Sequence, residues 1–231
     1  MVKIAKKMKE NNALFDKTKA YNLKEAIAIL KKAPKRKFDE TLEVSVKLDV
    51  DPKQASSASI RGTVALPHGT GKKIKVVVFC RGEEENRAKE SGAEYVGSDD
   101  LVAKIQGGWL DFDVAIATPD MMKDIAKLGK ILGPRGLMPS PKAGTVSPDT
   151  AKAVKEVKAG KIEFKMDKQA GIHAPAGKVS FTEEALYANT HALIDAIMSA
   201  NPTGARGQHV KTLYLSSTMG PGIKVDIAEF K

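Results

Sequence analysis

The sequence predicts a mixed α/β and α+β protein of two domains. One is a discontinuous α+β domain whose antiparallel sheet is formed by both termini. The other is an inserted α/β, Rossmann-like domain with a parallel sheet. Three observations lead there. Near both ends of the chain, strands alternate apolar and polar residues, the pattern of an antiparallel sheet with one wet face. In the middle, Val76–Cys80 and Val114–Ala117 are unbroken apolar runs, the pattern of parallel strands covered on both faces. Charge divides in the same way. Residues 1–66 carry a surplus of seven cations and 160–231 a surplus of one, whereas 67–159 hold fifteen cations against thirteen acids. The expected division is therefore 1–66 and 160–231 for the discontinuous domain and 67–159 for the insertion, with glycine-bearing crossings at 66–71 and 157–160.

The elements follow in chain order. Asn22, with Glu25 three residues on, reads as a helix start before Ala26, Ile27, Ile29 and Leu30, and Pro34 lies just past the end. From Thr41 to Val50, Leu42, Val44, Val46, Leu48 and Val50 share one strand face. Glu83-Glu84-Glu85 reads as a solvated helix start. Asp100 to Gln106 is a helix stopped by Gly107-Gly108. Thr118-Pro119 and Ser147-Pro148 each set a capping hydroxyl before proline at a first helical position. Lys161–Met166 and Ile223–Ile227 alternate as strands, and Thr212–Ser216 is a third. Thr182 opens a helix running to about Ala200, stopped by Asn201-Pro202. Residues 201–209 read as an exposed polar loop.

Composition narrows the function. The 231 residues carry a net charge of +10, and 42% are apolar, enough for ordinary cores. No apolar run approaches the ~20 residues needed to span a bilayer, and the basic N-terminus lacks an apolar h-region. A cytoplasmic protein without a membrane partner is expected. The single Cys80 fits a reducing compartment. Residues 1–37 hold twelve Lys and Arg against three acids, so nearly all the excess charge sits at one end. Clustered cations of this kind gain from counterion release on a polyanion, and the weak amphipathicity favours nucleic acid over membrane.

Enzyme motifs fail. Gly69-Thr-Gly-Lys-Lys73 lacks the first glycine and the final Ser/Thr of a phosphate-binding loop, and neither 69–71 nor 220–222 completes a dinucleotide fingerprint. His68, His173, His191 and His209 are scattered without metal-ligand spacing. Cys80 sits in an apolar strand, where burial suppresses thiolate. No catalytic residue, cofactor or metal is expected. Phe38 stands out among the aromatics. It follows Lys35-Arg36-Lys37 and precedes Asp39-Glu40-Thr41, and reads as a lid over the core, as an aromatic rim beside RNA, or as both at once.

Two stretches carry a resemblance. Residues 128–146 pack Gly129, Gly133, Gly136, Gly144, Pro134, Pro139 and Pro141 with Lys130, Arg135 and Lys142 around a few apolar anchors. On its own this is a stiff basic loop, either a joint or a binding site. The second is Leu215-Ser-Ser-Thr-Met-Gly-Pro-Gly-Ile-Lys-Val225. With Lys37-Phe-Asp-Glu-Thr41, the chain resembles the ribosomal protein L-one family of the large subunit along almost its whole length. Ser140 departs from the bacterial pattern, which has Asn there.

The resemblance implies a hinged two-domain protein of the mobile stalk beside the tRNA exit site. Such a protein binds large-subunit rRNA, assists release of deacylated tRNA from the exit site, and in many bacteria represses translation of its own mRNA. The RNA-binding residues it implies are Lys37, Phe38, Thr41, Lys168, Ser217, Thr218, Met219 and Gly220. Hydroxyls can meet the 2′-OH, Met offers an apolar surface, and Gly allows close backbone approach. Residues 128–146 are expected to serve domain packing rather than RNA contact. The alternatives are a free-standing RNA-binding translational regulator, separable by co-sedimentation with large subunits, and an α/β enzyme, against which the missing motifs count.

Overall fold

A computed structural model of the chain describes residues 10–11, 13–34, 36–49, 60–200 and 210–230. Lys35, Val50, the 201–209 loop with its Asn201-Pro202 stop, and residues 1–9 of the basic arm lie outside the described residues. Contacts divide the chain into two compact units, residues 1–71 with 162–231, and residues 72–161.

The first unit is built on a four-stranded antiparallel sheet. Its strands are β1 (Thr41–Leu48), β7 (Gly171–Lys178), β8 (Val210–Ser217) and β9 (Gly222–Val225), in the order β7-β1-β8-β9. Leu42, Val44, Val46 and Leu48 are buried, as the alternation requires, against Ile172 and Ala174 of β7 and Leu213 and Leu215 of β8. Helices α1 (Leu23–Lys32) and α7 (Glu183–Ser199) cover that face through Leu23, Ile27, Leu30, Leu186, Leu193 and Ile197. Among the described residues no helix covers the other face, which presents Ser45, His173 and Tyr214 in one row across the strands.

Several expected details differ. β6 (Lys161–Lys165) does not join the large sheet but pairs with β2 (Arg61–Ala65) in a separate two-stranded sheet. A Cβ on Gly62 would come within 2.5 Å of the Phe164 ring, so glycine is required for these two strands to close. Asn22 makes no side-chain cap. Glu229, 206 positions away, accepts the Leu23 N–H instead (3.1 Å). Thr182 does cap α7, accepting the Ala185 N–H.

Asn189, buried on α7, accepts the N–H of His68 (2.9 Å) and donates to the carbonyls of Gly69 (2.8 Å) and Ala176 (2.9 Å). It fastens the 66–71 crossing to the first unit. The expected cut at residue 66 would sever those bonds.

The second unit has a three-stranded parallel sheet, β4 (Tyr95–Gly97), β3 (Val76–Phe79) and β5 (Val114–Ala117), in the order β4-β3-β5. Every residue of β3 is buried. Val77 and Phe79 face α3 (Asp99–Gln106) and the buried Met121, Ile125, Leu128 and Leu132. Val76 and Val78 face Ala88 of α2 (Glu83–Glu90) and Val154 of α6 (Thr150–Lys158). Burial on both faces is why the runs are unbroken.

α6 begins later than Ser147-Pro148 suggested. Asp149 is its cap, accepting the Lys152 N–H, and the Ser147 hydroxyl accepts the Asp149 N–H. Thr118 makes no side-chain cap on the short 3₁₀ turn 119–121.

The 128–146 stretch is no open loop. α4 (Met122–Ile125) precedes it, and within it stand α5 (Gly129–Leu132) and a 3₁₀ turn, Pro141–Ala143, with Leu128 and Leu132 as core residues. Ser140 and Thr145 close the turn that follows. The Ser140 N–H meets the Thr145 hydroxyl, and the Thr145 N–H meets the Ser140 carbonyl. Val146 then bridges Ala117 in parallel and extends the sheet. Gly136 (φ 70°) and Gly144 (φ 68°) occupy left-handed positions, the conformation that L side chains resist. Packing within its own unit thus explains most of this motif. Arg135 and Lys142 stay exposed.

Candidate nucleic-acid interface

The entrance to β1 and the exit of β8 meet at one end of the large sheet, because Leu42 pairs with Ser217. Beyond that pair the ladder is extended by a side chain. Thr218 Oγ1 accepts the Thr41 N–H (3.0 Å) and lies 3.3 Å from the Thr41 carbonyl, while the Thr218 N–H donates to that carbonyl (3.1 Å). The Thr218 hydroxyl, expected to face RNA, is therefore committed to the protein backbone.

Ser217 is likewise turned inward. It is 7% exposed, and its hydroxyl donates to Glu40 Oε2 (2.7 Å). The same oxygen accepts the Met219 N–H (3.0 Å). Arg36 completes the clamp. Its Nη2 donates to the Met219 carbonyl (3.2 Å), and its Nε pairs with Glu40 Oε1 at 3.8 Å. Both side chains of that ion pair are largely buried, so the turn 217–219 is gripped by a charged pair shielded from water.

The clamp leaves two large apolar side chains in solvent. Met219 is 56% exposed and Phe38 is 54% exposed. Lys37 is exposed beside it. Thr41 is half-buried, and its hydroxyl accepts from Lys178 Nζ (2.9 Å), a cation on β7 that the sequence reading did not single out.

Gly220 does not adopt a positive φ. Its constraint is space, since a Cβ there would lie 2.2 Å from Ser217 Oγ.

Lys168 is not brought to this end. It sits in the turn between β6 and β7, where Gly171 pairs with Lys47 at the far end of β1. β1 has eight residues, which at ~3.4 Å each sets Lys168 about 25 Å from the Thr41 end. Its turn is firmly held. Asp167 accepts the N–H groups of Gly171 (2.6 Å) and Gln169 (2.8 Å), and the Gly171 bond first of all keeps its carboxyl below the usual carboxylate range. The Lys47 ammonium donates to the Gln169 carbonyl. The open sheet face, with Ser45, His173 and Tyr214, runs between the two ends.

The second unit offers a different surface. In parallel α/β sheets, phosphates sit at helix N-termini outside the carboxyl ends of the strands. Here those first turns carry Glu83, Glu84, Glu85, Asp99, Asp100 and Asp120. Arg81 is already occupied by Asp99 (3.0 Å) and Asp124 (3.3 Å). Such an edge repels phosphate. Cys80 beneath it is buried, and desolvation, with Glu85 and Glu84 nearby, pushes its thiol up to about 11. Among the described residues, no group of acidic, His or Cys side chains could hold a metal ion. No helix there is long and apolar enough to cross a membrane.

The "Large ribosomal subunit protein uL1" of Protochlamydia amoebophila (strain UWE25) is 54% identical over 225 residues, covering 97% of this chain and 95% of that protein. The sequence model of the ribosomal protein L1p/L10e family matches residues 30–221. That span begins in α1, runs through both units and ends just past the Thr218-Met219-Gly220 turn, and on this match and that identity the chain belongs to the ribosomal protein L1p/L10e family.

Proposed function

We propose that the chain is a constituent of the large ribosomal subunit that binds large-subunit rRNA through its first unit. The observation that carries the proposal is the pair of exposed apolar side chains, Phe38 and Met219, presented by a buried Arg36–Glu40 clamp. Single exposed apolar groups are ordinary on a protein surface; what sets these two apart is the fixed frame beneath them, made by Glu40 and Arg36. Aromatic faces accept bases, and cations alongside fix register on phosphates. Lys37 supplies such a cation at the sheet entrance, with Lys168 at the far end. A folded RNA lying along the open sheet face would meet both.

In this reading Ser217 and Thr218 hold the turn and Met219 touches the RNA. The family resemblance extends the proposal further. The chain assists release of deacylated tRNA beside the exit site and represses translation of its own mRNA through an rRNA-like segment, all in the cytoplasm. No enzymatic step is proposed.

Salt dependence tests the electrostatic part. The surplus of nine cations in residues 1–37 is expected to neutralise several phosphates. For about five, log K against log salt slopes by roughly −4. Titration of large-subunit rRNA between 50 and 300 mM salt (on the order of the usual range) reads the slope directly. A slope near zero would remove the polyanion contact.

A further inference from the structure

The cation that meets Thr41 is held by neutral oxygens alone. Lys178 closes β7 directly opposite Thr41, so the two side chains share the open face of the sheet. Its ammonium donates to the Thr41 hydroxyl (2.9 Å) and to the Asp39 carbonyl (3.4 Å). The Asp39 carboxylate is turned onto the Ser180 N–H (3.2 Å) and hydroxyl (2.7 Å) instead. Among the described residues no carboxylate pairs with Lys178, although the residue is half-buried. A half-buried charge met only by neutral dipoles gains when an anion reaches it. The stem of Lys178 is held as well. A Cβ on Gly71 would lie 2.9 Å from that stem and 2.9 Å from the Phe181 ring, so both are packed over the glycine.

We propose that Lys178 and the Thr41 hydroxyl together hold one phosphate of the bound RNA backbone. The inference rests on the RNA-binding reading above and adds to it a phosphate site centred on Lys178. Donor counting supports it. An ammonium has three N–H groups, and two are used. Thr41 Oγ1 accepts from that ammonium, and its own proton meets no acceptor among the described residues. One N–H and one O–H are thus left on adjacent groups of one face. A phosphodiester presents two free oxygens that only accept, and it brings the negative charge that Lys178 has no partner for. A base edge mixes donors with acceptors and brings no charge. Lys and Thr are both usual phosphate ligands, and side chains ordered before binding lose little freedom on it. Thr218 flanks Thr41 on the other side. The phosphate therefore lies within two strand spacings, about 10 Å, of the Met219 turn.

The test uses the full chain and large-subunit rRNA of the same organism. The rRNA is sparsely treated with ethylnitrosourea, which esterifies phosphates and removes their charge. Bound and unbound fractions are separated, and the phosphates whose ethylation prevents binding are mapped. Lys178→Met keeps the stem over Gly71 and removes the charge. It should weaken binding about tenfold, as for loss of one charged hydrogen bond. It should make the slope of log K against log salt less steep by roughly 1, and it should abolish interference at one particular phosphate. Thr41→Val should abolish interference at that same phosphate. Lys178→Arg, which keeps the charge, should retain most of the slope. Where Lys178→Met lowers the melting temperature, Lys178→Gln carries the test. It keeps an amide donor for Thr41 and loses the charge, and it too should flatten the slope.

An unaltered salt slope and interference map in the neutral Lys178 variants overturn the phosphate site and leave the RNA-binding reading standing. So does a loss of affinity with slope and map unchanged, which makes Lys178 a frame residue only. The absence of any rRNA binding by the unaltered chain overturns both.

Discussion

Met219→Ala lowers the affinity for large-subunit rRNA by about tenfold, a loss of ~1.4 kcal/mol, and leaves the melting temperature nearly unchanged. The side chain is 56% exposed, and the turn beneath it is held through its backbone. The Met219 N–H goes to Glu40 and its carbonyl to Arg36. Truncation past Cβ removes contact surface and no hydrogen bond, and exposed substitutions of that kind stay within about 0.5 kcal/mol in stability. A buried methionine would behave in the opposite way, with Met219→Ala destabilising the fold by about 2–5 kcal/mol.

Gly220→Val is the companion variant. A Cβ 2.2 Å from Ser217 Oγ must displace that hydroxyl from Glu40, so binding and stability fall together. Thermal melts and rRNA titrations on the two variants separate contact from frame. A lowered melting temperature with unchanged affinity for Met219→Ala would make the turn structural only.

Glu40→Ala is the variant with the largest expected loss of stability, about 3–5 kcal/mol. The Glu40 carboxylate serves the Ser217 hydroxyl, the Met219 N–H and the Arg36 guanidinium at once. Its removal leaves a largely buried Arg36 charge without its counterion, and breaking one side of such a pair costs in that range. Against a typical total of about 5–15 kcal/mol, the loss is large. Glu40→Gln keeps an oxygen for Ser217 and Met219 but loses the charge and turns an amide NH2 toward Arg36, so its effect is smaller than that of Ala without being nil. Denaturant titration ranks the three proteins. The rRNA affinity should fall with the loss of the turn, more for Ala than for Gln. Equal stability of Glu40→Ala and the unaltered chain would mean that the clamp holds nothing.

What the sequence disclosed, and what it hid, follows from distance along the chain. The alternation of Leu42, Val44, Val46 and Leu48 is a local pattern, and so is the unbroken run at Val76. Each names its sheet type because one side chain's burial is decided by its immediate strand. Phe38 and Met219 were found as motif residues, 181 positions apart in the numbering. Glu40, Arg36 and Lys178 were missed because their partners lie 177, 183 and 137 residues away. Nothing local distinguishes such a carboxylate or cation from a solvated one.

The same reason explains Asn189, whose bonds reach 121 residues back to His68. β7 was missed for another cause. Pro175 and four small residues (Gly171, Ala174, Ala176 and Gly177) weaken its strand propensity, and the proline is tolerated because β7 is an edge strand with a register shift opposite Leu42 and Glu43. Ser217 and Thr218 stood among the RNA ligands because the family resemblance implies them and hydroxyls can meet a 2′-OH. The alternation of β8 continues through Ser217 and turns it inward.

The central claim is that rRNA is held by the first unit. The most direct measurement compares two chains for rRNA affinity at one salt concentration. One joins residues 1–71 to 162–231 by a short linker, and the other is 72–161 alone, each first shown by thermal melting to fold. The first keeps the clamp, Phe38, Met219, Lys168 and the Asn189 bonds to His68 and Gly69. The second carries acids at its helix N-termini. The expected result is that the joined chain retains most of the full-length affinity and 72–161 binds weakly or not at all. A folded joined chain without rRNA affinity, beside a 72–161 that binds as the full chain does, would contradict the claim.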